Sequence, residues 1–537
     1  MRKSKVFGVV FFLTISFAIG GYAATYNVLD YGAKGTGNTD DSKAFLNAWG
    51  AACGDSNYPT FFIPGGMTFY LSQTTFNGPC KSAIHVMIDG TLIAPNNVWT
   101  GDLNHWLAFR YLEGLTIDGK GEINGQGQVW WNCKHNKSLY LQNCRNLRLS
   151  GLTFKDSPKK HITVEGGNGG QVNGITIIAP EDSPNTDGIY LRNSQYFTIS
   201  NSFIGTGDDC ISVGPGSSYV NITGITCGPG HGISIGSLGT GNSEVAVEQI
   251  YVYNCTIMHT QNGVRIKTWQ GGSGYARGIT FSKIKLENVQ NPIIIDQYYC
   301  NGEHNCQNQT SAVQVSDVYY TQVMGTTTSK VGINFRCSQT VPCTGIALED
   351  VNIQSSESGQ EEAFCFDAQG KSNRVVPVPS MGYTQRSLPN VPSFSLNLSD
   401  SKEPQVDGAS PSTLAPSHVS NIPSSSSVVG PKEPNYTRKV FLQPQGDDGF
   451  DDAYESWTKI PEATRRIWFR EWKKHVYWEP MHEDHMWHAF NKKGSSHLSV
   501  MYCALRKSNK RPHWIGTEIW EGLRQIWSTE KHKQKSE

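Results

Sequence analysis

Between residues 145 and 355 the hydrophobic positions come in short alternating runs that return at near-constant spacing. One series reads Leu147-Arg-Leu, Val172-Asn-Gly-Ile-Thr-Ile-Ile, Phe197-Thr-Ile, Val220-Asn-Ile-Thr, Ile250-Tyr-Val and Ile279-Thr-Phe, with steps of 25, 25, 23, 30 and 29 residues. A second series lies between them: His161-Ile-Thr-Val, Asp187-Gly-Ile-Tyr-Leu, Cys210-Ile-Ser-Val, Gly232-Ile-Ser-Ile, Val264-Arg-Ile-Lys and Pro292-Ile-Ile-Ile. β-Branched runs of three to six residues, broken by Gly, Asn and Ser at ~20–30-residue periods, predict a stacked parallel β-helix. Each coil turns at small or left-handed-tolerant residues, and its neighbour covers its apolar edge. A sandwich or barrel of hairpins is the rival, but hairpin signals would recur every ~8–12 residues with two-residue turns, and the connections here are more varied. The segment Asp41–Cys53 has the spacing of an amphipathic helix with Asp at its start, suited to cap the open end of the stack.

Outside the repeats the pattern changes three times. Arg2, Lys3 and Lys5 precede an apolar stretch, Val6–Ile19, too short to span a bilayer, and small residues follow; residues 1–24 read as a signal peptide rather than a membrane anchor. Residues 25–380 are the predicted β-helix domain, and 381–440 a Ser/Pro-rich disordered linker. Residues 441–537 form a Trp-rich basic extension holding eight of the chain's 14 tryptophans. The Trp468/Trp472 and Ile519/Ile526 spacings predict helices there.

Composition narrows the function classes. Lys+Arg and Asp+Glu are both 46 in 537 residues, charged residues are 17%, and Gly numbers 55. This excludes a disordered chain, a long coiled coil and a uniformly basic nucleic-acid binder. Residues 25–400 carry 23 basic against 29 acidic side chains, a mildly acidic body. Twelve of 13 cysteines precede residue 370 and none forms a CxxC pair, so disulfides in an exported protein are expected and zinc is not. Cys300/Cys306 and Cys337/Cys343 are spaced to staple short loops, and Asn136, Asn221, Asn254 and Asn308 lie in glycosylation sequons.

Four strings sit at matching phases of successive coils: Asn185-Thr-Asp-Gly, Gly207-Asp-Asp-Cys, Gly230-His-Gly and Arg265-Ile-Lys. Parallel strands stack at ~4.8 Å, so Asp187, the pair Asp208 and Asp209, His231, and Arg265 with Lys267 are predicted to form one ladder. Arg265 and Lys267 share a strand face, being two apart. Asp208 and Asp209 reach one site only if a turn or bulge precedes Ile211. Singly, each string is ordinary: a turn, a structural histidine, a solvated strand face. Together, three carboxylates in register are costly unless protonated or paired, and such clusters occur where acid–base work is done.

These strings resemble the polygalacturonases, the pectin-degrading glycoside hydrolases of family 28, in their plant form. The match lies in Ser183-Pro-Asn-Thr-Asp-Gly-Ile, Gly205-Thr-Gly-Asp-Asp-Cys-Ile-Ser-Val-Gly, Gly230-His-Gly-Ile-Ser-Ile-Gly-Ser-Leu-Gly and Arg265-Ile-Lys, with Asn27-Val-Leu-Asp-Tyr-Gly-Ala-Lys near the mature start. The resemblance covers about residues 25–380. It implies an all-β, right-handed parallel β-helix that hydrolyses α-1,4-galacturonosidic bonds of pectin or homogalacturonan with inversion. It further implies Asp208 as general acid, Asp187 and Asp209 as the water-activating pair, and His231 as the residue tuning the acid. Arg265 and Lys267 would hold the sugar carboxylate, Asn185 would touch substrate, and either Tyr299 or the adjacent Tyr298 would match a substrate-contacting tyrosine. Cys210 and Cys227 resemble a disulfide of the family beside the active site.

The chemistry stands without the name: a polyanion needs a cationic clamp in an acidic cleft, an acid at the leaving oxygen and a base for water. Carboxylates stacked at roughly 5 Å would by themselves suggest retention, against the inversion that the resemblance implies. No metal or other cofactor is expected. The expected partner is polygalacturonate, with no nucleic acid for the main domain, no membrane after signal cleavage, a monomeric state and a secreted, cell-wall location. A β-helix lyase and a non-catalytic pectin-binding solenoid are the alternatives. One departure stands out: Met381 occupies the place of a terminal family cysteine, which leaves Cys365 unpaired. The extension, around Arg465-Arg-Ile-Trp-Phe-Arg-Glu-Trp-Lys-Lys, is similar to a fragment of plant transposon-encoded proteins, which suggests a gene-model fusion.

Overall fold

A computed structural model describes residues 23–97, 105–131, 138–300, 306–356, 361–382, 459–473, 487, 490–491 and 517–527. Nearly all of the predicted signal peptide and linker, together with Asn136 and Cys133, lies outside them.

From Thr25 onward the chain winds into coils whose strands pair side by side in parallel. Among the described residues one sheet has 11 strands, stacked in strict chain order. Its register runs Ile162, Ile189, Ile211, Ile233, Val264, Ile293 and Ile333, one residue per coil. These side chains are buried, as is the parallel stack Leu191, Val213, Ile235, Ile266, Ile295 and Phe335. Alternation does the rest: the residues between them, Tyr190, Ser212, Ser234, Arg265, Ile294 and Asn334, point outward as a second line. Each interior aliphatic contributes about 1.5–3 kcal/mol on burial, so register is fixed by the core and the outer line inherits it.

The second predicted series matches the observed register. The first does so except at Val172, which pairs with Leu149 and Ile199, two residues along from the expected partners; Gly170 takes the rung between Leu147 and Phe197. A glycine there is required by packing, because a Cβ on Gly170 would lie 2.2 Å from the Phe197 ring.

The predicted capping helix forms over Ser42–Cys53 and buries Phe45 and Trp49 against Phe61, Phe69, Phe76 and Phe109 of the first coils. Asp41 does not cap it. Its carboxylate accepts from the Lys34 and Gly35 amides instead, while Asp40 Oδ1 takes the Ser42 amide.

Four disulfides join described cysteines: Cys53–Cys80, Cys210–Cys227, Cys300–Cys306 and Cys337–Cys343. Cys365 is free, and both it and Met381 pack against the core. The general expectation of disulfides fails at Cys144 and Cys255, which are buried free thiols, their pKa pushed up to about 11 by burial. They occupy interior positions as small apolar groups.

The C-terminal body, taken alone, contains helices Glu462–Lys473 and Thr517–Trp527. Phe469 packs edge-on against Trp487 and Phe490. No described helix is long and apolar enough to cross a membrane.

Candidate active site

Two residues ahead of the aligned aliphatics from Ile162 to Ile293 stands a polar side chain: Lys160, Asp187, Asp209, His231, Asn262 and Asn291. The strand of the central coil begins only at Ile211, so Gly207–Cys210 is a bend, and both Asp208 and Asp209 reach the same face. Gly207 makes this approach possible, since a Cβ there would sit 2.0 Å from the Ser183 carbonyl. Gly232, at φ +78°, turns the chain directly after His231, and a Cβ would strike the Asn262 and Gly263 carbonyls. The Cys210–Cys227 disulfide fixes the end of the bend next to Asp209.

Asp209 is 1% exposed and fully engaged. Arg265 Nη2 and Ser234 Oγ both donate to its Oδ1 at 2.7 Å, and Lys267 Nζ donates to Oδ2 at 2.7 Å. Burial works to raise its pKa, but Lys267 and Arg265 outweigh that and hold it low. Removing one partner of such a buried ion set costs ~3–5 kcal/mol, so the cations are structural as well as chemical.

Asp208 is paired differently. His231 Nδ1 lies 3.2 Å from Oδ1, and Asn185 Nδ2, from a residue at φ +57°, donates to Oδ2 at 3.2 Å. Burial would raise Asp208, yet the His231 hydrogen bond and charge, helped by Lys267 and Lys160, hold it well below the usual carboxylate range. Asp187 is the opposite case. Burial, reinforced by Asp208 and Asp209, pushes it up to about 6, although Lys160 Nζ bonds its Oδ2 at 2.5 Å and pulls the other way.

All the predicted residues therefore come together, and two further ones join them. Lys160, also 4.5 Å over the Tyr190 ring, was visible only as the rung before Asp187 in the ladder. Ser234 was hidden inside an unremarkable strand run. Tyr299 stands beside the cluster, its ring 5.3 Å from Lys267 Nζ, whereas Tyr298 stacks with Arg336 one coil further on. Asp208, Asp209 and His231 offer ligand-type atoms within 4.8 Å of one another, but both Asp209 oxygens are occupied by cations, so the protein's own residues balance the charge.

The model of glycosyl hydrolases family 28 matches residues 53–373. The chain belongs to this family. It is 48% identical over 360 residues to a probable polygalacturonase of Arabidopsis thaliana, spanning 65% of this chain and 79% of that one. To polygalacturonase-2 of Solanum lycopersicum it is 46% identical over 351 residues, 63% of this chain and 77% of the other. The fold is shared with the endo-xylogalacturonan hydrolase of Aspergillus tubingensis, with a TM-score of 0.57, 24% identity, and coverage of 66% of this chain and 100% of that one. The family 28 match ends before the linker and the extension.

Proposed function

We propose that the family 28 domain is a polygalacturonase, hydrolysing α-1,4-galacturonosidic bonds of de-esterified pectin. The observation that carries this is Asp209 clamped between Arg265 and Lys267, beside an Asp208–His231 pair and a buried Asp187 on one open sheet face. Arg265 and Lys267 take the uronate of the incoming sugar, sharing their charge between it and Asp209. Tyr299, next to Lys267, and Asn185, next to Asp208, line the same sugar. Asp208 gives its proton to the leaving oxygen while Asp187 and Asp209 align water on the opposite side. In the free protein Asp208 is an anion; a sugar carboxylate arriving over the cations and expelling water raises its proton affinity. His231, hydrogen-bonded to Asp208, sets how far.

Inversion is part of this proposal. The close carboxylate spacing would suit a retaining pair, but a covalent nucleophile needs an oxygen free to attack, and Asp209 has both oxygens held by cations. A second assignment, with Asp187 as the acid, is favoured by its raised pKa of about 6. One experiment separates these readings. Asp208→Asn is expected to lower reducing-end release from polygalacturonate by at least about a thousandfold with an unchanged melting temperature and loss of the alkaline limb of the pH profile. If Asp187→Asn removes that limb instead, the roles are exchanged. Initial product of inverted anomeric configuration by proton NMR is expected; unsaturated product absorbing in the ultraviolet would point to a lyase.

We further propose that residues 25–380 suffice for this activity and that the protein is exported, which fits the four disulfides among its described cysteines.

A further inference from the structure

Beneath the ladder of charged side chains runs a line of hydrogen bonds that no acid–base step uses. The Ser157 amide donates to His161 Nε2 at 3.3 Å, and His161 Nδ1–H donates to the Thr186 carbonyl at 3.1 Å. The Gly207 amide donates to Thr186 Oγ1 at 3.0 Å, and the His231 amide donates to the Asp208 carbonyl at 2.8 Å. His161, Thr186 and Gly207 each adjoin a member of the ladder in sequence: Lys160, Asp187 and Asp208. We propose that Thr186 is a positioning residue whose hydroxyl, by holding the Gly207 amide, fixes the gap between Asp187 and Asp208. The proposal rests on the polygalacturonase reading of the catalytic cluster and adds to it a buried residue that acts on turnover rather than on binding.

The loop 180–187 and the bend 207–210 meet at this bond. Strand pairing takes over only from Gly188, whose amide donates to the Asp209 carbonyl at 2.9 Å. Ahead of that point, among the described residues, two side-chain hydrogen bonds cross from the loop to the bend. One runs from Asn185 Nδ2 to Asp208 Oδ2 at 3.2 Å, between half-buried residues of the open face. The other is that of Thr186, which is 0% exposed. Its hydroxyl is aimed by its own loop: Oγ1 donates its proton to the Ser183 carbonyl at 2.9 Å, which leaves a lone pair for Gly207. Ser183 Oγ, 2.7 Å from Thr186 Oγ1, donates to the Pro180 carbonyl at 2.5 Å and holds the loop closed.

The gap matters because inverting hydrolysis needs a proton at the leaving oxygen and a water on the opposite side of the same carbon. A misplacement of about 1 Å between such groups costs about a hundredfold in rate. The uronate-binding groups are anchored separately. Arg265 Nε donates to Ser234 Oγ at 3.1 Å, and Ser234, Arg265 and Lys267 all bond Asp209. Cutting the bond to Gly207 therefore loosens the acid against the base and leaves the cations in place.

The test is steady-state hydrolysis of polygalacturonate by the full chain, comparing wild type with Thr186→Val, Thr186→Ser and Ser183→Ala. Thr186→Val keeps the shape and removes the hydroxyl, so kcat is expected to fall about ten- to a hundredfold with KM within about twofold. Thr186→Ser restores the acceptor and should recover most of the loss. Ser183→Ala leaves the bond to Gly207 intact, and should lower the melting temperature while keeping kcat within about twofold. A Thr186→Val protein that melts lower but turns over normally overturns the proposal, and so does one whose loss lies in KM or one that does not fold. A folded Ser183→Ala protein as slow as Thr186→Val overturns it too, since any loosening of the loop would then suffice. If the wild type releases no reducing ends from polygalacturonate, it is the catalytic reading that fails.

Discussion

The ion pair between Lys160 and Asp187 is the feature of the site in which a single residue most directly sets a rate. Asp187 can orient water only as an anion, yet burial and two neighbouring carboxylates push it up to about 6. Activity that needs the anion is lost as pH falls through that value, so the acidic limb of kcat/KM is expected near 6. Among the described residues Lys160 is the one cation bonded to Asp187, and its charge opposes the rise. Lys160→Met removes that opposition, raises Asp187 further and moves the acidic limb alkaline by about one unit or more, while Lys160→Arg leaves it near the wild-type position. A limb that stays fixed in Lys160→Met, measured on polygalacturonate across pH 4–8, means that Asp187 is not the titrating base. No motif flags this lysine. It precedes His161 in a run that reads as core strand, and only the coil-to-coil alignment gives it a partner 27 residues away.

At the scale of elements, His161 ties the strand Ile162–Glu165 to the loop that carries Asp187. Its Nδ1–H donates to the Thr186 carbonyl at 3.1 Å, and its Nε2 accepts from the Ser157 amide at 3.3 Å, which fixes a neutral ring. The ring is fully buried, and burial pulls its pKa down to about 4 from 6.5. Because the folded value is depressed, its contribution is fully present above pH 6.5 and is lost as pH falls toward 4, by roughly 3 kcal/mol. His161→Gln is therefore expected to melt well below wild type at pH 7, with the gap narrowing between pH 6.5 and 4; a constant gap would show that the imidazole stays neutral for another reason. The same elements show what is legible in a sequence. The site sheet could be aligned from its sequence because every interior position of its strands from Ile162 to Ile295 is aliphatic, even though the coils differ in length. The neighbouring sheet was misaligned at Val172, where Gly170 makes room for Phe197 and no aliphatic marks the rung. Asp41 misled for a related reason: a cap signal is local, and its carboxylate was drawn to the 34–35 backbone by the fold around it.

For the whole molecule, the question is what the residues after 380 do for those before it. Every residue assigned a catalytic or binding part lies between Lys160 and Tyr299, and the family match closes at residue 373. The solenoid also finishes its own last coil. Strand Ala368–Val376 pairs with Cys343–Ser355, Gly382 and Gly370 exchange backbone hydrogen bonds with this coil, and Met381 lies on the core. Cys365 is part of that coil without a disulfide, and burial raises its thiol to about 11, so it behaves as packing material rather than as a reactive group. A solenoid is stabilised by contacts between adjacent coils, so loss of a distant segment is felt only at the terminal one. A chain ending at Gly382 is accordingly expected to keep kcat/KM on polygalacturonate within about twofold of the full protein. Its melting temperature should differ only by what the terminal coil contributes, and a Cys365→Ser change should leave both almost unmoved. A truncated chain that fails to fold, or folds and loses turnover, would mean that the Trp-rich extension completes the enzyme rather than trailing it.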